Sequence, residues 1–146
     1  EFAALERYHD VFRSCNRAFY TDPAQRLDHW CGTCDKCCFI DLVLSPFLGE
    51  DELRRIFGSH EPLATPALEP IFRSLLGAGP RPFECVGDEG ECRTAAVLAA
   101  RRPDRAAYPM LQHLAQLAGE EGEEGELQSS CLFRRHGPDF VPAGFS

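Results

Sequence analysis

Cys31-Gly32-Thr33-Cys34-Asp35-Lys36-Cys37 places three thiols within seven residues, and sulfurs at that spacing can be aimed at one point. A zinc ion takes four ligands tetrahedrally, with thiolate sulfur at roughly 2.3 Å, and two-residue gaps let the chain fold round it. Gly32 permits the tight turn this needs. The fourth ligand must come from elsewhere, and Cys15 is the expected one. His29 and Cys38 compete for that place. His29 also reads as an exposed loop histidine, and Cys38, directly after Cys37, as a small core thiol pointing away round the helix. Four thiolates would leave the metal no open position, so it would hold the fold together and perform no catalysis. An iron–sulfur cluster is the chemical rival, and reduced thiols without a metal the plain one. The eight cysteines of the chain could instead form disulfides, but such frameworks belong to short secreted domains.

The elements that must hold these sulfurs follow from periodicity. Glu1 to Cys15 carries apolar residues at helical spacing (Phe2, Leu5, Tyr8, Phe12) and reads as an amphipathic helix. Asn16 to Trp30, with Asp22-Pro23, reads as a loop. Cys38, Phe39, Leu42 and Val43 then repeat at helical spacing up to Ser45-Pro46, which puts the cysteine cluster at a helix entrance. Further helices are expected over Glu50–Phe57, stopped by Gly58, and over Pro66–Leu76, stopped by Gly77. Another starts at Asp88, where Glu91 completes a capping box, and runs to Arg101. Pro103 to Ala118 gives the last, with Met110, Leu111, Leu114 and Leu117 on one face. The Gly79–Gly87 segment is too rich in proline and glycine for a helix and reads as an ordered loop.

The fold class expected is mainly α, with at most short strands, helices surrounding a four-cysteine site. Three regions are expected: a helical zinc-binding region over 1–118, an acidic mobile loop over 119–128 containing GEEGEEGE, and a tail over 129–146. The tail's Leu132, Phe133, Phe140, Val141 and Phe145 suggest that it docks.

With 146 residues the chain suits one domain, and its 44% apolar and 26% charged residues are those of an ordinary globular protein. No apolar run approaches the roughly 20 residues a membrane helix needs. A net charge of −8 disfavours nucleic acid and anionic lipid, which bind through clustered Lys and Arg. The opening at Glu1, already in helical register, suggests a cut inside a longer protein, and no secretory signal is visible. There is no glycine-rich phosphate loop, Gly-x-Ser-x-Gly elbow or His-Glu-x-x-His, so these residues contain no complete catalytic motif.

Ser14-Cys15-Asn16 with Trp30-Cys31-Gly32-Thr33-Cys34-Asp35-Lys36-Cys37 resembles the zinc-binding end of the adenine-nucleotide alpha-hydrolase-like enzymes, a group that includes the deazaguanine synthases. Phe39, Pro46-Phe47-Leu48 and Pro82-Phe83-Glu84-Cys85-Val86-Gly87 bring it closer to the MurL family of UDP-N-acetylmuramoyl-L-alanyl-L-glutamate epimerases. The likeness runs from about Ser14 to Gly137-Pro138-Asp139-Phe140. It implies the C-terminal part of a larger α/β cytoplasmic enzyme of bacterial peptidoglycan synthesis. That enzyme uses ATP and magnesium to adenylate the terminal L-glutamate of a UDP-muramyl dipeptide and then inverts its alpha carbon.

The nucleotide loop of that superfamily, Ser-Gly-Gly-x-Asp-Ser, is missing here; it is expected in an N-terminal ATP-binding part, and the fragment alone should not turn over substrate. Inversion needs a proton removed from one face and returned on the other. Cys85 and Cys92 are the conceivable pair, with Glu84 and His136 as other acid–base candidates. The plainer readings are partly buried thiols for Cys85 and Cys92, a loop-fixing acceptor for Glu84 and a solvated tail residue for His136. Arg81, Arg93, Arg134 and Arg135 could grip the pyrophosphate of a UDP-sugar, or be solvated surface arginines. The alternatives are a deazaguanine-synthase-like enzyme and a non-catalytic zinc-bound interaction module.

Overall fold

In the computed structural model residues 2–58, 60–83 and 85–120 are described, and among them there are helices and turns but no strand. The five α-helices are α1 (Asp35–Leu44), α2 (Glu50–Phe57), α3 (Glu69–Leu75), α4 (Glu89–Ala100) and α5 (Pro109–Glu120).

Local chemistry sets most of their ends. Ser45 closes α1, its N–H donating to Asp41 O and its hydroxyl to Leu42 O at 2.7 Å, just before Pro46. Acidic Glu50, Asp51 and Glu52 fill the first turn of α2 and Arg54 and Arg55 the last, each complementing the helix dipole. Gly58 ends it with φ 74°, a left-handed conformation that glycine adopts without steric penalty. Gly77 does the same after α3, where Ala78 N–H reaches Arg73 O at 2.9 Å and Gly77 N–H reaches Ser74 O at 3.1 Å, a Schellman closure. Asp88 and Glu91 form the expected capping box at α4.

Two apolar clusters share α1. Its Cys38 and Leu42 join Leu63, Phe72, Leu75, Leu76, Cys92, Ala96, Leu111 and Leu114 in the larger one, built where α1, α3, α4 and α5 meet. Its Cys37 and Leu44 turn to the smaller one, with Cys15, Trp30, Leu48, Leu53 and Phe57. A buried polar cluster ties the larger core together. Arg105 Nη1 donates to Glu61 Oε1, Tyr108 Oη donates to Glu61 Oε2 at 2.8 Å, and the Leu63 N–H donates to Asp41 Oδ2 at 2.8 Å.

Three expectations need correction. Glu1 to Cys15 is no continuous helix: two 3₁₀ turns, Phe2–Ala4 and Glu6–Tyr8, lead into irregular chain. Leu5 and Tyr8 of the supposed apolar face are exposed, while His9 is buried, hydrogen-bonded to Glu52 at 2.7 Å and to Phe2 O at 3.2 Å. Phe2 and Phe12 pack together at 4.9 Å, so contacts with distant residues override the local pattern. Pro103–Ala118 is likewise split into a 3₁₀ turn, Pro103–Arg105, and α5, because Pro109 has no N–H to continue a helix and serves as a first-turn residue instead. Pro66–Leu76 is split in the same way into a 3₁₀ turn, Pro66–Leu68, and α3. The acidic segment beyond Glu120 and the tail lie outside the described residues.

Candidate metal centre

Cys15 arrives on extended chain (φ −62°, ψ 131°) at the edge of the 3₁₀ turn Asn16–Phe19, and is fully buried. Cys31 follows Trp30, and Gly32, with φ 69°, turns the backbone back toward α1. A Cβ there would find only His60 O at 3.9 Å, so the glycine answers a demand on backbone angle, not on space. Cys34 is the N-cap residue of α1 and Cys37 lies in its first turn, so the helix start itself presents both sulfurs.

The four sulfurs lie within 4.8 Å of one another. Cys15–Cys34 is 4.0 Å, Cys31–Cys37 3.7 Å and Cys34–Cys37 3.5 Å. A tetrahedron with thiolates about 2.3 Å from its centre has edges of about 3.8 Å, which these separations match. They are far too long for disulfides, whose sulfurs sit about 2.05 Å apart. The Cys31 N–H points at Cys15 Sγ from 3.4 Å, and the Thr33 hydroxyl at Cys31 Sγ from 3.7 Å, donors of the kind that support bound thiolate.

The contacts among the sulfurs make them ionise unequally. The hydrogen bond shared with Cys37 draws the Cys34 thiol down to about 4, whereas the same contact, burial and neighbouring negative sulfurs drive Cys37 far above its ordinary value. Burial also raises Cys15. Cys34 therefore ionises first while Cys37 and Cys15 hold their protons, and a divalent cation bound here would have to displace those protons.

The rivals for the fourth place are elsewhere. His29 is exposed and paired with Asp28 at 2.9 Å. Cys38 faces the larger core, where burial pushes its thiol well up.

Among the described residues the remaining candidates do not form one constellation. Cys85 is exposed on the loop before α4, whereas Cys92 is enclosed in the core, its thiol pushed up to about 12 by burial and then by Glu91 and Asp88. They offer no common face to a substrate. Arg81 is exposed and donates to Gly87 O at 3.4 Å; Arg93 lies on α4 with its guanidinium beside Gly77. Glu84, His136, Arg134 and Arg135 lie outside the described residues. Sequence reasoning passed over Lys36, whose ammonium donates to Cys85 O, although a single lysine set between two cysteine ligands was a visible oddity. It also passed over the cluster of Asp41, Glu61 and Arg105, which no local pattern announces.

The model of the MurL C-terminal domain family matches residues 11–129. This chain belongs to that family. Three relatives bear the name UDP-N-acetyl-alpha-D-muramoyl-L-alanyl-L-glutamate epimerase. The one from Salinispora tropica is 36% identical over 99% of this chain, that from a Micromonospora species 34% over 99%, and that from Xanthomonas oryzae pv. oryzae 42% over 97%. The chain spans about a third of the relatives' length (31%, 32% and 32%), as expected for the C-terminal part of a larger protein. No solved structure matches it. Among the described residues no helix is long and apolar enough to cross a membrane.

Proposed function

We propose that this MurL C-terminal domain is the zinc-stabilised part of a cytoplasmic epimerase that converts the terminal L-glutamate of UDP-MurNAc-L-Ala-L-Glu to D-glutamate for peptidoglycan. The observation that carries this reading is a likeness along nearly the whole chain to three relatives named for that reaction. Cys15, Cys31, Cys34 and Cys37 would hold the zinc, and the tetrahedral spacing of their sulfurs supports that assignment. A four-sulfur zinc cross-links its ligands' elements and has no open position for substrate. Here it would join the N-terminal arm and the Trp30 loop to the start of α1.

ATP and magnesium belong, in this reading, to the two-thirds of the protein preceding the domain; adenylation there removes the negative charge of the substrate carboxylate and so acidifies its alpha proton. What this chain can bring to substrate is the exposed Cys85 loop, while enclosed Cys92 is a core residue. A nucleotide-linked substrate and a centre of reduced thiols both suit a reducing compartment.

The test is to incubate the full-length protein with ATP, magnesium and UDP-MurNAc-L-Ala-L-Glu, hydrolyse the product and resolve the glutamate enantiomers. D-glutamate that depends on ATP is expected; none would reject the epimerase. Metal analysis of the same preparation should give one zinc per chain and a colourless solution, whereas an iron–sulfur centre would absorb in the visible.

A further inference from the structure

Lys36 stands between two of the converging cysteines, in the first turn of α1, and its ammonium donates to the backbone oxygen of Cys85, 49 positions away. The loop it reaches is held at several other points. The Ser74 hydroxyl donates to Pro80 O, and Arg81 donates to Gly87 O at 3.4 Å. Val86 packs on the larger core. Gly87 lies so close to α1 and α4 that a Cβ would fall 2.7 Å from the Phe39 ring and 2.4 Å from Glu91 Oε2. Asp88, the next residue, caps α4. Between these anchors Phe83 stands fully exposed and the Cys85 thiol faces solvent.

We propose that Lys36 is a positioning residue through which the four-cysteine centre fixes the Pro80–Gly87 loop. The proposal rests on the metal reading given above. Cys34 and Cys37 flank Lys36 in one turn of chain, so fixing both sulfurs on one ion fixes the stem from which the ammonium reaches the loop. A mobile turn would spread that ammonium over many positions, and the carbonyl of Cys85 would lose its charged donor. The zinc site would thus act at a distance, holding in place the exposed loop that is this domain's best candidate for meeting substrate.

The experiment is hydrogen exchange read by mass spectrometry on the full-length protein, with metal content measured on every sample. The informative segment is 86–92, where the N–H groups of Asp88, Glu91 and Cys92 are bound to the Glu91 carboxylate, the Asp88 carboxylate and Asp88 O. Lys36→Met should keep its metal yet exchange there roughly tenfold faster, the equivalent of one charge-assisted hydrogen bond. Lys36→Arg, which keeps a cation at similar reach, should restore protection to near wild type. Stripping metal from the wild type should accelerate the same segment, and stripping it from Lys36→Met should add little more, since both act through one link.

Equal exchange in Lys36→Met and wild type would overturn the tether. Full additivity of the two perturbations would overturn the coupling while leaving the tether. A wild type without metal would sink the metal reading and the coupling together, and the Lys36→Met comparison would still decide the tether.

Discussion

If the four cysteines hold the zinc proposed above, removing it should unfold the smaller half of this chain and leave the larger half standing. The smaller cluster is built on Trp30, Leu44, Leu48, Leu53 and Phe57, with two of the four sulfurs inside it. Five such side chains contribute about 1.5–3 kcal/mol each before the entropy of ordering the chain is set against them. A structural zinc contributes roughly 10–16 kcal/mol in small domains near pH 7, as much as the whole apolar cluster. The N-terminal arm has only short 3₁₀ turns, and apart from the metal it is held chiefly by the His9–Glu52 hydrogen bond and the packed rings of Phe2, Phe12 and Trp30. The larger cluster contains none of the four converging cysteines. α3, α4 and α5 contain 7, 12 and 12 residues against 10 and 8 in α1 and α2, so far-UV ellipticity should fall by somewhat over a third at most.

Trp30, the one tryptophan of the chain, makes the assay selective. It is buried, with its ring 5.7 Å from that of Phe12 and 5.2 Å from that of Phe57. Titrating a zinc chelator should shift its emission to longer wavelength in step with zinc release, ahead of most of the loss of helix. Emission that stays blue after the metal has gone would falsify this reasoning, and simultaneous collapse of both signals would show that the two clusters are not separable.

Two further outcomes follow from particular side chains. Asp41 is fully buried, accepts from the Leu63 N–H and has its Oδ1 without a partner among the described residues. Burial raises its carboxyl to about 7, against 3.8 ordinarily, even though the Leu63 N–H and Arg105 favour the charged form. Between those values the folded state keeps a proton that the unfolded chain has released, so this group's contribution to stability falls as pH rises through the window and levels off above it. From pH 5.5 to 7 the wild type should lose about 2 kcal/mol that Asp41→Asn does not, measured by urea unfolding of the zinc-loaded proteins; parallel curves would contradict the assignment. Asp88→Ala removes the side-chain acceptor for Glu91 N–H at 2.9 Å and should lower stability by about 1 kcal/mol, with a matching fall in melting temperature.

The convergence of the four cysteines was legible because three of them are local: a helix entrance and two-residue gaps aim the sulfurs whatever the rest of the chain does. Choosing Cys15 over His29 and Cys38 was an inference from position, and the folded chain places it in the cluster. Helix stops at Gly58 and Gly77 and the start at Asp88 were equally legible, since left-handed glycines and reciprocal caps depend on immediate neighbours. The Phe2, Leu5, Tyr8 and Phe12 spacing misled because short amphipathic segments take their conformation from what they pack on, and here His9 and Phe12 face inward while Leu5 and Tyr8 do not.

By itself, then, the sequence determined the features whose physics closes within a few residues: the sulfur-bearing turn, the caps, the glycine stops and the mainly helical character. Only the folded chain decided which distant groups meet. Cys15 reaches Cys34, Lys36 reaches Cys85, and Arg105 reaches Glu61 across gaps that no periodicity encodes. Those pairings arise when burying apolar surface on both faces of α1 brings remote segments together, and polar groups enclosed by that burial must then find partners.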